Sequence, residues 1–365
     1  MARSKILATL LLLPISKIYG AVMAVRNKMF DTGMLKSHSF DVPVIVVGNL
    51  AMGGTGKTPH VEYIIESLRQ KYHIGVLSRG YKRSTKGFVL AQPQSRPEDI
   101  GDESYQIYRK YGPEITVAVC EKRADGIARM LQIDPKISLI VLDDAFQHRY
   151  VKPTVSIVLT EYNRPLFRDN LLPYGRLREP HSSLNRADIV VVTKCPDEVK
   201  PMDFTLFKEK LKLFPYQRLY FSRFSYGSVV PVFEDAAKSI PNLDWIEPGT
   251  WALALTGVAN PKPFTRYLRT HKLKVKLCKF DDHHNFTASD MEEIERRFDA
   301  ITAKEKYIFT TEKDAVRLFN NPYFPHRLKP YIFYIPITVE FISDTDNDFS
   351  LGIEKTLRDA KLFGN

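Results

Sequence analysis

From Val42 to Thr58 the chain reads VPVIVVGNLAMGGTGKT, an order of residues that leaves few folds open. Val44, Ile45, Val46 and Val47 make an apolar, β-branched run of the kind buried in a parallel strand. The run breaks at Gly48-Asn49 and delivers Gly53, Gly54, Thr55, Gly56, Lys57 and Thr58, after which Pro59 opens a helix. Glycines allow backbone N–H groups to turn inward around a phosphate, and a helix N-terminus adds the positive end of its dipole. Lys57 is then set to reach β- and γ-phosphates, and the Thr58 hydroxyl to ligate Mg²⁺. The strict pattern G-x-x-x-x-G-K-[ST] wants glycine at position 51, where this chain has Ala51, so flexibility rests on Gly53 and Gly54. A glycine-rich turn that binds nothing is the bland alternative. Strand, glycines, Lys-Thr and helix in the required order argue for a nucleotide-phosphate site.

A chain of 365 residues exceeds one ordinary core, so two domains are expected. Cys120, Cys195 and Cys278 lie far apart, which argues against a disulfide framework or a zinc site and suits a reducing compartment. The net charge of +11 calls for an anionic partner. No basic run with interleaved aromatics marks a nucleic-acid stripe, so anionic lipid or a phosphorylated substrate is favoured and no nucleic-acid partner is expected.

The N-terminus bears on that choice. Ile6 to Leu13 is almost wholly apolar but too short to span a bilayer, which needs about 20 residues. Beyond Pro14, the residues Ile15, Ile18, Tyr19, Val22, Val25 and Met29 recur at helical spacing, with Lys17, Gly20, Ala24, Asn27 and Lys28 on the other side. Arg3, Lys5, Lys17, Arg26, Lys28 and Lys36 face a single acidic residue, Asp31. This pattern suits a helix lying in an anionic membrane surface. A cleaved signal peptide shares the charged start and short apolar core, but export would part the phosphate loop from ATP. A helix packed on its own domain is the second alternative.

Strands and helices then alternate: HIGVLSRGY (73–81), a helix from Asp99 to Tyr111, ITVAVC (115–120), a helix over 121–132, SLIVLDD (138–144), VSIVLTE (155–161) and DIVVVTK (188–194). That order predicts an α/β fold, a P-loop-type parallel sheet domain whose ligands sit at the carboxyl ends of the strands. RLYFSRFSYGSVVPVF (218–233) reads as two strands around Tyr226-Gly227, a connector to a second, smaller α/β segment. That segment includes WALALTG (251–257), LKVKLCKF (273–280), KYIFTT (306–311), a late strand over 331–341 and a final helix. The expected division is a membrane-surface helix over 1–35, a phosphate-loop domain over 36–215, a β-stranded linker over 216–235 and a second α/β domain over 236–365.

Several constellations carry chemistry. Asp143 and Asp144 close an apolar strand, as Mg²⁺-holding carboxylates opposite Thr58 should. Gln147 and His148 follow and shape the same region. Asp102, in Gly101-Asp102-Glu103, is open to two roles: helix cap, or acceptor of a proton from an attacking hydroxyl. Asp282-His283-His284 offers an imidazole oriented by a neighbouring carboxylate, against an idle surface pair. The segment 170–188 gathers Arg176, Arg178 and Arg186 in a polar loop suited to phosphate capture, and Arg79 begins a second basic loop. Thr193-Lys194-Cys195-Pro196 echoes a guanine reader but lacks aspartate in the fourth place, so GTP specificity is unsupported.

Taken in order, GNLAMGGTGKTP (48–59), LSRGYKR (77–83), GDES (101–104), VLDDAFQHR (141–149), LLPYGRLREP (171–180), FDDHHNF (280–286) and TTEKDAVRL (310–318) resemble the tetraacyldisaccharide 4′-kinase family over nearly the whole chain. The resemblance implies two α/β domains joined by a β-stranded linker, with the nucleotide between them. It implies an N-terminal helix on the cytoplasmic face of the bacterial inner membrane. It also implies ATP and Mg²⁺ as donor, and the 4′-hydroxyl of an acylated glucosamine disaccharide 1-phosphate as acceptor. By the same resemblance Lys57 and Thr58 hold phosphates and Mg²⁺, Asp143 and Asp144 complete the metal site, and Asp102 and His283 act as a catalytic dyad. Lys57 counts with that dyad as catalytic, and Arg79, Arg176 and Arg178 are the expected substrate-binding cations. Arg123 matches the family only loosely. A membrane-associated regulatory P-loop NTPase is the rival reading, and a nucleotide-binding scaffold a third.

Overall fold

A computed structural model describes residues 2–237, 239–282, 284–342 and 348–362. The chain opens with α1 (Ala2–Asp31), β1 (Val44–Asn49), α2 (Lys57–Leu68), β2 (Ile74–Ser78), the short β3 (Val89–Leu90) and the single turn α3 (Pro97–Ile100). It continues through α4 (Asp102–Tyr111), β4 (Thr116–Val119), α5 (Arg123–Ile133), β5 (Leu139–Asp143), β6 (Val155–Glu161), β7 (Ile189–Thr193) and α6 (Pro201–Leu211). Then come β8 (Arg218–Tyr226), β9 (Val230–Pro231), β10 (Trp251–Thr256), α7 (Lys262–Thr270), β11 (Lys274–Lys279), α8 (Ala288–Asp299) and β12 (Lys306–Thr311). The last elements are α9 (Glu312–Phe319), β13 (Ile332–Ile335), β14 (Ile337–Phe341) and α10 (Phe349–Leu362).

All six residues of β1 are buried, because the strand lies mid-sheet with both faces covered. The order of the large sheet is β14-β8-β7-β6-β1-β5-β2-β4-β3, parallel throughout except for antiparallel β14 and β3 at the two edges. Ile45 and Val47 point into one core with Val61, Ile64 and Ile65 of α2 and Ile107 of α4. Val44 and Val46 point into the other, with Ile127 and Met130 of α5 and Phe207 of α6. From β1 the chain departs toward β2 on one side and returns to β6 on the other. The carboxyl end of β1 is therefore the point where connections diverge and a crevice opens.

The smaller sheet, β11-β10-β12-β13-β9, carries its own two cores. The segment expected as a free-standing linker is divided: β8 is a full member of the large sheet, whereas β9 pairs with β13 in the small one. The late strand expected over 331–341 is likewise two strands, one in each sheet, broken at Pro336. Proline supplies no N–H to a ladder, so the chain can leave one sheet there and join the other. Gly227 N–H donates to Pro336 O at 2.9 Å, holding the outward and return crossings side by side. Consequently β14 and α10, expected with the second domain, pack on the first: Phe349, Ile353 and Leu357 of α10 complete the α2 side of its core.

At the other terminus α1 runs unbroken through Pro14. One face grips the first domain, with the Ser16 hydroxyl on Leu171 O at 2.8 Å, the Tyr19 hydroxyl on Arg178 O at 2.7 Å, and Phe30 buried edge-on against Tyr150. The other face presents Leu11, Ile15, Ile18, Val22 and Val25, each half or more exposed. The packed helix and the apolar outer stripe thus coexist; Tyr19 and Met29, expected on the stripe, are half-buried instead. Among the described residues no helix is long and apolar enough to cross a membrane.

Phe349 is fully buried and stacked on Phe341 with ring centroids 4.0 Å apart. If α10 belongs to the first core, Phe349→Ala lowers stability by about 3 kcal/mol. Urea unfolding followed through that domain checks this, and an unchanged midpoint would detach α10 from the core.

Candidate phosphoryl-transfer site

The glycine loop is shaped by two residues in the left-handed region, Gly53 at φ 116° and Gly56 at φ 89°. A Cβ on Gly56 would collide with the Phe224 ring of β8, so glycine is required there on two counts. Ala51 does not need to be glycine, because it is extended and bridges Leu177. Around that bridge Met52 N–H donates to Arg176 O and Arg178 N–H to Leu50 O, both at 2.7 Å. The arginine loop is thereby stitched to the phosphate loop along its backbone, which brings Arg176 and Arg178 to the site.

The loop is held from behind by side chains of other elements. The Thr193 hydroxyl donates to Thr55 O at 2.9 Å, and the Lys194 ammonium binds both Gly54 O and the buried Glu161 carboxylate. Asn49 Nδ2 donates to Thr55 Oγ1 at 2.9 Å. His60, wholly buried in α2, sits 2.7 Å through Nδ1 from Gly56 O and 2.9 Å through Nε2 from Ser222 Oγ. A carbonyl can only accept, so Nδ1 carries the proton and Nε2 accepts from the serine. Lys194 and His60 are not among the residues expected from sequence; Thr193-Lys194 was visible as an incomplete base-reading motif, and His60 had no signal.

At the open side Lys57 Nζ lies 3.6 Å from Asp144 Oδ1, and Arg178 Nη1 lies 3.3 Å from the same oxygen. Asp143, one residue earlier at the end of β5, is buried, and its Oδ1 has no hydrogen-bond partner among the described residues. Burial raises its pKa, the charges of Glu103 and Asp144 add to that, and Lys57 and Arg123 oppose it. A lone buried carboxylate oxygen beside two more acids is what a divalent cation would satisfy. Among the described residues no group of three or more His, Cys, Asp or Glu side chains is arranged for a metal. A cation here would therefore rest on the aspartates, Thr58 in the first turn of α2, and phosphate oxygens.

Arg123, matched only loosely by sequence, proves to be an internal part of this site. Its guanidinium is buried and donates to Cys120 O at 2.9 Å, and its backbone N–H donates to His148 Nε2 at 3.0 Å. Burial lowers its pKa to about 10, against the attraction of Asp143 and Asp144. His148 is lowered to about 4 by burial and by Arg123, so it is a neutral acceptor. Exposed Arg79 adds its repulsion to both groups. Arg176 is engaged by Asp169, with Nε 2.9 Å from the carboxylate.

Asp102 is the first residue of α4, directly after Gly101 at φ 82°. Its carboxylate is paired with Arg317 of α9, which sequence reading did not single out. His283, its expected partner, lies outside the described residues. The arrangement gathers Lys57, Asp143, Asp144, Arg178 and Arg123 at one loop, while Asp102 stands at the start of α4, whose next residue, Glu103, helps to raise the Asp143 pKa. Such a site can cradle a polyphosphate, neutralise charge on its terminal group and offer a carboxylate to an incoming hydroxyl.

Residues 8–357 match the model of the family described as LpxK, tetraacyldisaccharide-1-P 4′-kinase. The chain is 49% identical over 345 residues to the tetraacyldisaccharide 4′-kinase of Bacteroides thetaiotaomicron, covering 93% of this chain and 90% of that protein. It is 47% identical over 356 residues to the protein of that name from Bacteroides fragilis, covering 97% and 94%. Its fold is similar to a crystal structure of the "apo" form of LpxK from Aquifex aeolicus in complex with ATP. That likeness has a TM-score of 0.73 and 26% identity, and covers 99% of both chains.

Burial lowers the His60 pKa from 6.5 to about 4, opposed in part by the Gly56 carbonyl. Between those values the unfolded chain takes up the proton that the folded chain refuses, so stability falls as pH drops through that window. Urea midpoints near pH 7.5 and pH 5 should show a smaller acid loss in His60→Gln than in the unmodified protein; equal losses would contradict a neutral, buried His60.

Proposed function

The chain belongs to the tetraacyldisaccharide-1-P 4′-kinase family, and from that premise we propose how its own residues carry the reaction. It is an ATP-dependent kinase of lipid A biosynthesis. The γ-phosphoryl group passes to the 4′-hydroxyl of a tetraacylated glucosamine disaccharide 1-phosphate. Backbone N–H groups of Gly54, Gly56 and Lys57 and the start of α2 bind the phosphates, and Lys57 neutralises the β- and γ-oxygens. Mg²⁺, when held by Thr58, Asp143 and Asp144, supplies further neutralisation of those oxygens. Asp102 accepts the proton of the attacking hydroxyl, with His283 as its partner. Arg178 faces the charge that develops on the transferred group, and Arg79 and Arg176 bind the acidic substrate from the rim. The observation that carries this reading is the convergence of Lys57 and Arg178 on Asp144, beside the unsatisfied oxygen of Asp143.

A tetraacylated acceptor stays in its bilayer, so the enzyme must come to it. The outward stripe Leu11, Ile15, Ile18, Val22 and Val25, next to Lys17 and Lys28, supports α1 as a helix lying in an anionic surface. ATP puts that surface on the cytoplasmic side of the inner membrane. Two α/β units joined by the crossings at Gly227 and Pro336 remain the working domain division.

Protein given γ-labelled ATP and the acylated disaccharide in detergent micelles should place label in the lipid; label only in free phosphate would favour a membrane ATPase switch instead. Asp102→Asn should slow lipid phosphorylation by about 100-fold or more with nucleotide affinity retained, and unchanged turnover would remove Asp102 from the mechanism. Replacing Ile15, Ile18 and Val22 by serine leaves the packed face of α1 intact. It should abolish co-sedimentation with anionic vesicles; sedimentation equal to the unmodified protein would contradict the membrane role.

A further inference from the structure

The helix that begins with Asp102 is fastened to the second domain along one face. Arg317 of α9 lays its guanidinium against the Asp102 carboxylate, with Nε 2.9 Å from Oδ1 and Nη2 on Oδ2. Three residues on, the Tyr105 hydroxyl accepts from Asn320 Nδ2 at 2.9 Å. The Arg109 guanidinium lies 3.7 Å over the Phe319 ring, and Lys110 joins Glu62 of α2 to Glu312 at the start of α9. Positions 102, 105, 109 and 110 share one helical face. The seam is thus built by α4 of the first domain and α9 of the second.

The Asp102–Arg317 pair differs from the surface ion pairs of this molecule. Its side chains are 13% and 8% exposed, and the guanidinium is also held by its own domain, with Nη1 donating to His284 O at 3.1 Å. A buried pair of this kind contributes little net stability, because desolvation offsets attraction. What two parallel bonds from a rigid fork do supply is orientation. They fix the plane of the carboxylate, and with it the directions in which its oxygens can accept a proton. Arginine cannot take that proton itself, so the pairing leaves the acceptor role with Asp102.

We propose that Arg317 is a positioning residue for phosphoryl transfer: from the second domain it sets the Asp102 carboxylate, so that the proton acceptor is in register only while α9 is docked on α4. This rests on the reading of Asp102 as proton acceptor. It gives the second domain a part in the chemistry through one side chain 215 residues away in sequence.

The test is a double-mutant cycle on the full-length protein in the micelle assay, reading kcat and KM for ATP. Arg317→Met should lower kcat by about 10- to 100-fold, the cost of a misplaced acceptor, with KM for ATP within about twofold. Arg317→Lys keeps the charge without the fork and should fall between. In the Asp102→Asn background Arg317→Met should cost no more, because both changes remove the same oriented carboxylate. Asn320→Ala, which breaks the neighbouring bond of the same seam, should leave kcat unchanged. Full kcat in Arg317→Met or Arg317→Lys overturns the proposal, as do multiplying losses in the double variant or an equal loss in Asn320→Ala. Full kcat in Asp102→Asn removes the proton-acceptor reading and the proposal with it, whereas a slow Asp102→Asn beside a full-rate Arg317→Met removes the positioning role alone.

Discussion

A loop that cradles phosphate has to present backbone N–H groups to the ligand, and it can do so only if the carbonyls between them are satisfied elsewhere. Here the carbonyls of Gly54, Thr55 and Gly56 are taken in turn by Lys194, Thr193 and His60. Across a trans peptide the N–H points opposite the carbonyl. Pinning Thr55 O and Gly56 O from behind therefore turns the Gly56 and Lys57 N–H groups toward the open side. The pins come from the end of β7 and from α2, so the loop inherits the rigidity of the sheet. Phe224 closes the arrangement by packing where any side chain on Gly56 would have to go.

The same strands tie the loop to the rest of the molecule. Ser222, which holds His60, and Phe224 both lie on β8, and β8 runs on toward the crossing into the small sheet. The return crossing at Pro336 lays β14 against β8, and α10 then packs over α2. The second domain is thus an insertion between two strands of the first sheet, anchored at both ends beside the helix that follows the phosphate loop. Its contact with α4 adds a third attachment, at the residue read as proton acceptor. Positive charge gathers beside the loop in Lys57 and Arg178, with Arg123 buried nearby and Asp143 and Asp144 set among them.

Much of this was legible in the sequence because it is local. A β-branched run, glycines and Lys-Thr in order specify strand, turn and helix within seventeen residues (42–58), and the apolar run into Asp143-Asp144 does the same for β5. The arginine loop, singled out from sequence, is stitched by its backbone to the phosphate loop. What was not legible is long-range. His60 meets Ser222 162 positions away, and Thr55 meets Thr193 across 138. Neither residue type advertises a partner of that kind. Arg317 carries no local signal of its role, because only the packing of α9 on α4 brings it to Asp102. The assignment of β14 and α10 to the second domain departs from the structure for a related reason: alternation along 331–341 reports a strand, but not that Pro336 divides it between two sheets. The opening helix offered two readings because one of its faces packs on the first domain while the other presents an apolar stripe.

With a hydroxyl acceptor and a loop-bound donor, the γ-phosphoryl group should go straight to the lipid hydroxyl by one in-line displacement, with no covalent enzyme intermediate. ATP made chiral at the γ-phosphorus with oxygen isotopes tests this directly. A single displacement gives a lipid 4′-phosphate of inverted configuration. Retention would mean two displacements through a phosphorylated side chain, and would contradict it.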